Sequence, residues 1–269
     1  MLGIGATEQD YIDLRAYLGL DKPVIVQFGI FLKNALHGDF GESIYLRKPV
    51  IEVMLSRLLA TLQLGGAAIA WSIVLALPLG VYAAVKRGAR FDVIARTIAV
   101  IYQAAPPFWL GLMLMLAFSS WLRILPPAGR EEPLSIILPA ITLGSWLFAT
   151  ILRLTRSSML DVLDSEYVKL SRIKGLPEIV VVWKHAFRNA VLPVITFSTM
   201  MFISALAGAV TTETVFAWPG IGQLIIQAVG WRDFPLVQAI VIVIAAMYIG
   251  ANLAVDVLYA YINPRIRYS

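Results

Sequence analysis

The stretch EYVKLSRIKGLPEIVVVWKHAFRNAVLP, Glu166 to Pro193, concentrates Lys169, Arg172, Lys174, Lys184, His185 and Arg188 around a Gly175-Leu176-Pro177 break. Beside the first basic run stand Tyr167, Leu170, Ile173 and Leu176, spaced by three, so a helix aligns them in one stripe. An apolar stripe with a basic rim is chemistry for seating in a partner's groove, not for breaking bonds. The plainer reading is a solvated basic loop on the positive side of a membrane. Bond-making chemistry has no comparable candidate. The chain holds no G-x-x-x-x-G-K-[ST], nor any Gly-Lys pair, so it lacks its own phosphate-binding P-loop. It also lacks H-E-x-x-H and G-x-S-x-G. With no cysteine and two histidines, His37 and His185, neither a thiolate metal site nor a histidine cluster can form.

The elements that must position this hairpin are membrane spans. Hydrophobic residues make up 59% of the 269, charged ones 14%, and mean hydropathy is +0.78. Soluble domains carry about 25% charged residues. Five stretches are free of charge: Leu58–Val85, Thr97–Leu122, Pro133–Leu152, Asn189–Thr212 and Phe234–Val255. At 1.5 Å per residue, about 20 apolar residues cross a ~30 Å hydrocarbon core. Each stretch is long enough for a helix, and much longer than the roughly ten alternating residues of a barrel strand. The expected fold is an all-α, polytopic helical bundle with five visible spans, at about 58–85, 97–122, 133–156, 189–212 and 234–262. Residues 1–57 precede that 58–263 transmembrane domain, which includes a loop at 160–188, and 264–269 form a tail.

Charge sets the orientation. Segments 86–96, 153–188 and 263–269 hold 13 Lys and Arg against 5 Asp and Glu, whereas 1–57, 123–132 and 213–233 hold 9 against 11. The first set is therefore cytoplasmic by the positive-inside rule, and the basic hairpin lies there. Residues 1–57 are then extracytoplasmic, with no basic-then-apolar leader in them. The expectation is a further transmembrane helix upstream. Within 1–57, Thr7 with Asp10 resembles a capping box, Gly19 a stop, and Pro23 the start of a helix to Leu36.

Several spans carry breaks or polar residues. Pro106-Pro107 divides the second, Pro139 sits early in the third and Pro193 opens the fourth, breaks tolerated where protein or water covers the freed backbone. Gly66/Ala70 and Ser204/Gly208 permit close helix packing. Gln103, Ser198 and Asn252 are candidates to line a pathway. Asp256 is an intramembrane acid, for which an interfacial cation is at least as good a reading as a transport role. Intramembrane carboxylate pairs and histidine relays are missing, so uphill movement of a solute needs energy from another subunit. The alternative class is a self-contained secondary transporter or channel, which needs ion-relay residues or a charged pore ring.

The hairpin resembles the EAA loop of ABC importer permeases of the dipeptide/oligopeptide/nickel family. Gly175 and the Leu192-Pro193 pair match the pattern, while the Glu-Ala-Ala slots hold Lys169, Leu170 and Ser171. The likeness continues in order along the chain. LRAYLGLDKPVIVQF (14–28), PPFWLGLMLMLAFSSWLRILPPAG (106–129), ETVFAWPGIGQLI (213–225) and DVLYAYINPRIRY (256–268) resemble its outer segment, third span and exit, last outer loop and C-terminus. The resemblance implies the type I ABC importer permease fold, with six spans of which the first precedes this chain.

It also implies partners: a second, similar permease, two cytoplasmic ABC ATPases that bind ATP and Mg, an extracytoplasmic binding protein, and the bilayer of a bacterial cytoplasmic membrane, with no nucleic acid. The chain itself would hold no cofactor or metal and perform no catalysis. Glu166, Tyr167, Lys169, Arg172, Lys174, Gly175 and Leu176 are the expected ATPase contacts, and Glu213, Trp218, Pro219 and Gly220 the expected outer loop or gate. Peptides, nickel complexes, glutathione and related solutes all use similar permeases.

Overall fold

A computed structural model describes Gln9 and residues 21–262, without the side chains of 199, 202–207 and 254–262. The expected features at Thr7, Asp10, Gly19, Ser204 and Asp256, and the tail 264–269, fall outside what is described. Two compact units divide the chain: Met1–Arg57 with Leu224–Ala246, and Leu58–Gln223 with Met247–Ser269.

In the first unit, helix α1 (Val24–Leu36) follows Pro23 and buries none of its residues. A tight loop then pairs Glu42 with Pro49. Its organising group is Asp233, fully buried, which accepts hydrogen bonds from Ser43 Oγ at 2.5 Å and the Tyr45 amide at 3.1 Å. Its other oxygen accepts from the Leu236 amide at 3.3 Å, capping the helix that starts at Phe234. Tyr45 stacks on Trp231 with ring centroids 4.3 Å apart.

Three helices cross the division: the long α2 (Val50–Val85) and α10 (Phe234–Ile262), and the short α9 (Ile221–Gly230). The second unit contains α3 (Arg90–Ala104), α4 (Pro107–Met115) running into π-helical Leu116–Trp121, and a 3₁₀ turn Pro133–Ile136 before α5 (Ile137–Leu163). Next come α6 (Glu166–Ile173), the single turn α7 (Glu178–Val180), π-helical Val181–Phe187 and α8 (Arg188–Val215). Among the described residues four helical stretches are long and apolar enough to cross a membrane, or five when α3 and α4 are taken as one broken span.

The expected single span 97–122 differs most from what forms. α3 begins at Arg90, and α4 departs from it by 110°. The cause is local: Ala105 and Pro106 are extended, at ψ 129° and 133°, because a residue preceding proline is pushed out of the helical region. Pro139 costs nothing, since it lies in the first turn of α5, where amides have no intrahelical partner. Pro193 lies within α8 and does not open it, and α2 likewise runs through Pro78.

Helix α5 packs between α3 and α8. Its glycine meets α2 closely: a Cβ on Gly144 would fall 2.4 Å from Trp71 Nε1 and 2.6 Å from the Ala68 carbonyl. That approach lets Trp71 donate to the Ala140 carbonyl (2.7 Å) and Ser72 to the Gly144 carbonyl (2.9 Å). Gly66, the small residue expected at a packing seam, instead faces open space.

Candidate functional site

The first helix of the basic hairpin, α6, stands on one buried residue. In α6, Val168 is fully enclosed, packing with Val81 and Ala84 of α2, Met159 and Leu163 of α5, and Val181 and Val182. The rest of the helix is turned outward. Tyr167, Leu170, Ile173 and Leu176 are exposed by 41%, 55%, 79% and 37%, so the stripe that spacing aligned is open to a partner. α6 ends because Gly175 turns left-handed, at φ 78°, while its amide bonds to the Arg172 carbonyl at 2.9 Å. Pro177 then starts α7.

Polar contacts hold the hairpin's shape. Arg172 reaches across the break to Glu178 with two hydrogen bonds, 2.8 and 3.2 Å, and Glu178 raises the arginine's pKa in return. Lys169 bonds to Glu166 at 2.8 Å, which raises the lysine's pKa. Asn189 donates to the Tyr167 hydroxyl at 2.8 Å, tying α6 to the start of α8. Lys174 is exposed. Thus Glu166, Tyr167, Lys169, Arg172, Lys174, Gly175 and Leu176 lie together on one outward hairpin.

The other expected cluster is closed inward. Glu213, in the last turn of α8, is fully buried and accepts from Thr61 Oγ1 at 2.6 Å and from the Gln223 amide at 3.0 Å. Thr61 also accepts from the Ile221 amide at 2.8 Å. Trp218 is 1% exposed and donates its indole N–H to the Ala60 carbonyl at 2.9 Å. Gly220 leaves the carboxylate its room, for a Cβ there would lie 2.1 Å from Glu213 Oε1. Pro219 is half-buried beside it. Arg130 covers Trp218 at 5.8 Å and bonds to Gln63 at 2.7 and 3.1 Å. Glu213, Trp218 and Gly220 therefore latch the end of α8 to α2 at Ala60 and Thr61, and the Glu213 and Trp218 side chains are buried there.

The three candidate pathway residues are scattered. Ser198 is buried and bonds to the Val194 carbonyl at 2.7 Å, one turn back on its own helix. Asn252 is exposed and likewise bonds to the Tyr248 carbonyl at 2.9 Å. Gln103 is exposed at the end of α3 and accepts from Arg153 Nη1 of α5.

Sequence reasoning missed a buried ion pair between the start of α3 and the second half of α5. Asp92, 1% exposed, accepts from Arg156 and from the Gly88 amide at 3.0 Å, and Arg96 stands 3.4 Å away. The visible signal was only an acid among basic residues in 86–96. No group of three or more metal-ligating side chains comes together among the described residues.

Comparison with known proteins agrees with this architecture. The model of the binding-protein-dependent transport system inner membrane component family matches residues 76–268. The glutathione transport system permease protein GsiC of Salmonella choleraesuis (strain SC-B67) is 43% identical over 255 residues, covering 95% of this chain and 83% of that protein. The dipeptide transport system permease protein DppB of Escherichia coli (strain K12) is 40% identical over 295 residues, covering 98% and 87%. Among solved structures, the MetNI methionine ABC transporter in an inward-facing form superposes with a TM-score of 0.64 at 18% identity, over 79% of this chain and 97% of that one. The fold is that of type I ABC importer permeases, and these likenesses favour a permease subunit over a self-contained carrier or channel. The chain belongs to the family of binding-protein-dependent transport system inner membrane components, multi-pass membrane permease subunits of ABC importers.

Proposed function

We propose that this chain forms, with a second similar permease, the route by which a small peptide or a related solute such as glutathione enters a bacterial cell across its cytoplasmic membrane. Energy comes from two separate ATPase subunits that bind ATP and Mg, and an extracytoplasmic binding protein delivers the solute. The chain has no ATPase site of its own. The likeness to glutathione and dipeptide permeases along nearly the whole chain supports the solute class.

The observation that carries the coupling role is the outward stripe of α6. A hydrophobic side chain as exposed as Ile173 on a short helix, whose buried residue is Val168, is poised to be covered. Seating Tyr167, Leu170, Ile173 and Leu176 in a groove of the ATPase, with Lys169, Arg172 and Lys174 at the rim, lets a movement of that subunit push α6. Val168 passes the push to the ends of α2 and α5. Transmission is mechanical, and no bond changes in this chain. The buried latch at Glu213, Trp218 and Gly220 keeps the outer end of the α2–α8 pair rigid, so a push from the cytoplasm moves it as a body.

The test is reconstitution in liposomes of this chain with its companion permease, ATPases and binding protein. ATP-dependent uptake of glutathione or a dipeptide, absent when the ATPases are omitted, is the expected result. Uptake by this chain alone, driven by an ion gradient without ATP, overturns the proposal.

A further inference from the structure

Helix α5 is the most enclosed of the long apolar helices, and apart from Trp146 what it leaves exposed is polar. Its exposed residues are Trp146, Arg153, Ser157 and Asp161, and half-exposed Thr150 completes the row. Their spacing of four, three, four and four places them on a single face. In the same unit α2 and α10 turn mainly aliphatic side chains outward, Leu59, Leu62, Val74 and Leu75 on α2 and Ile249 and Leu253 on α10, with Gln63 and Asn252 exposed among them. A polar strip on an otherwise buried helix faces water or protein.

Arg153 is the centre of that strip. It lies twenty residues into the continuous helical stretch that begins at Pro133, about 30 Å along the axis at 1.5 Å per residue, which is the edge of a ~30 Å hydrocarbon core. Three residues on, Arg156 is neutralised by both oxygens of Asp92. Arg153 has no such partner: among the described residues no carboxylate lies within salt-bridge distance, and its one hydrogen bond goes to the neutral Gln103. Gln103 comes from α3 just before the 110° bend, so two helices bring their polar groups to one place. A guanidinium presents five N–H donors in a planar fork that fits a carboxylate. One contact to a side-chain amide leaves most of that capacity unused.

We propose that Trp146, Thr150, Arg153 and Ser157, with Gln103, form a wetted wall of the solute pathway, and that Arg153 pairs with a carboxylate of the passing solute. The inference rests on the reading of this chain as a peptide or glutathione permease, whose solutes carry free carboxylates. Gln103 supports the guanidinium without neutralising it. The pairing is weak enough to release because the arginine stays hydrated on an open face.

The chain has no cysteine of its own, so single cysteines report cleanly. In the assembled importer in liposomes, Thr150→Cys is exposed to an anionic and a cationic methanethiosulfonate, with Val74→Cys as the lipid-facing control. Both reagents should modify Thr150→Cys and spare Val74→Cys. Adding Arg153→Gln should lower the anionic-to-cationic rate ratio about tenfold, since one unit charge is removed from the immediate surroundings. No labelling of Thr150→Cys with or without ATP means a lipid-facing strip whose counter-ion is a headgroup phosphate, and overturns the proposal, as does an unchanged ratio. The second arm compares uptake of a dipeptide with that of its C-terminal amide. Arg153→Gln should bring the two rates together, and Arg153→Lys should keep part of the preference; an unchanged preference overturns the carboxylate role. If the unaltered importer carries neither peptide, the assigned solute class fails, while the labelling ratio still decides whether this wall is wet and draws anions.

Discussion

Arg156 holds Asp92 by both carboxylate oxygens, Nε to Oδ1 at 2.5 Å and Nη2 to Oδ2 at 2.9 Å, joining α5 to the first turn of α3. The side chains are 18% and 1% exposed, so neither charge is tolerated alone. Asp92→Ala should destabilise the permease by about 3–5 kcal/mol, the usual cost of stranding one member of a buried pair. The double variant Asp92→Leu with Arg156→Met should recover most of that loss, because apolar packing replaces a pair that gains little over its desolvation. Thermal unfolding of the purified permease checks both. A double variant no better than Asp92→Ala would mean that the charges do more than pair with each other.

The Glu213 latch makes a second prediction. Gly220→Ala puts a methyl group where the carboxylate lies, an overpacking that costs about 1–3 kcal/mol. Thr61→Val removes the hydroxyl that bridges Glu213 and the Ile221 amide. Both break the same device, so together they should cost clearly less than their sum. Strict additivity in thermal unfolding would show that Thr61 and Gly220 act independently.

Gly175 separates folding from coupling. Its φ of 78° is a conformation that β-branched side chains avoid, at a cost of about 1–2 kcal/mol. Nothing lies within 4 Å of a Cβ built there, so the strain is confined to the turn. Gly175→Val should reach the membrane in normal amount yet lose substrate-stimulated ATP hydrolysis and uptake in the assembled importer. Wild-type values of both would remove the coupling role from this hairpin.

Arg172 and Glu178 test whether the hairpin's angle matters. Their side chains are 41% and 54% exposed, so the pair is worth at most about 1 kcal/mol to stability. Arg172→Glu alone places two carboxylates together and should reduce stimulated ATP hydrolysis, with little change in thermal unfolding. Adding Glu178→Arg restores the cross-link in reverse and should restore part of the activity. A swap as inactive as the single variant would show that Arg172 acts on a partner directly and not by bracing the turn.

Much of this was legible in the chain. Charge-free runs of twenty or more residues announce helices in a bilayer by length alone, and the Pro106-Pro107 break comes from sterics within two residues. The outward stripe of α6 and its stop at Gly175 were readable for the same reason: periodicity and a glycine turn are local. The burial of Glu213 and Trp218 was not legible. Glu213 and Trp218 have the polarity and aromatic character of a contact surface, but both are buried, because the outer part of α2 supplies Thr61 and the Ala60 carbonyl from 152 and 158 residues away.

The sequence by itself determined that the protein is helical and membrane-embedded, where its charge-free spans lie, and where the basic hairpin turns. Each follows from the cost of exposing backbone or charge to hydrocarbon, or from dihedral preference, and neither needs a distant partner. Only the tertiary structure decided which charges are spent internally and which remain available. Arg153 and Arg156 are three residues apart on one helix and chemically identical. Packing α3 against α5 brings Asp92 to one and only Gln103 to the other, because a helix turns successive side chains toward different neighbours.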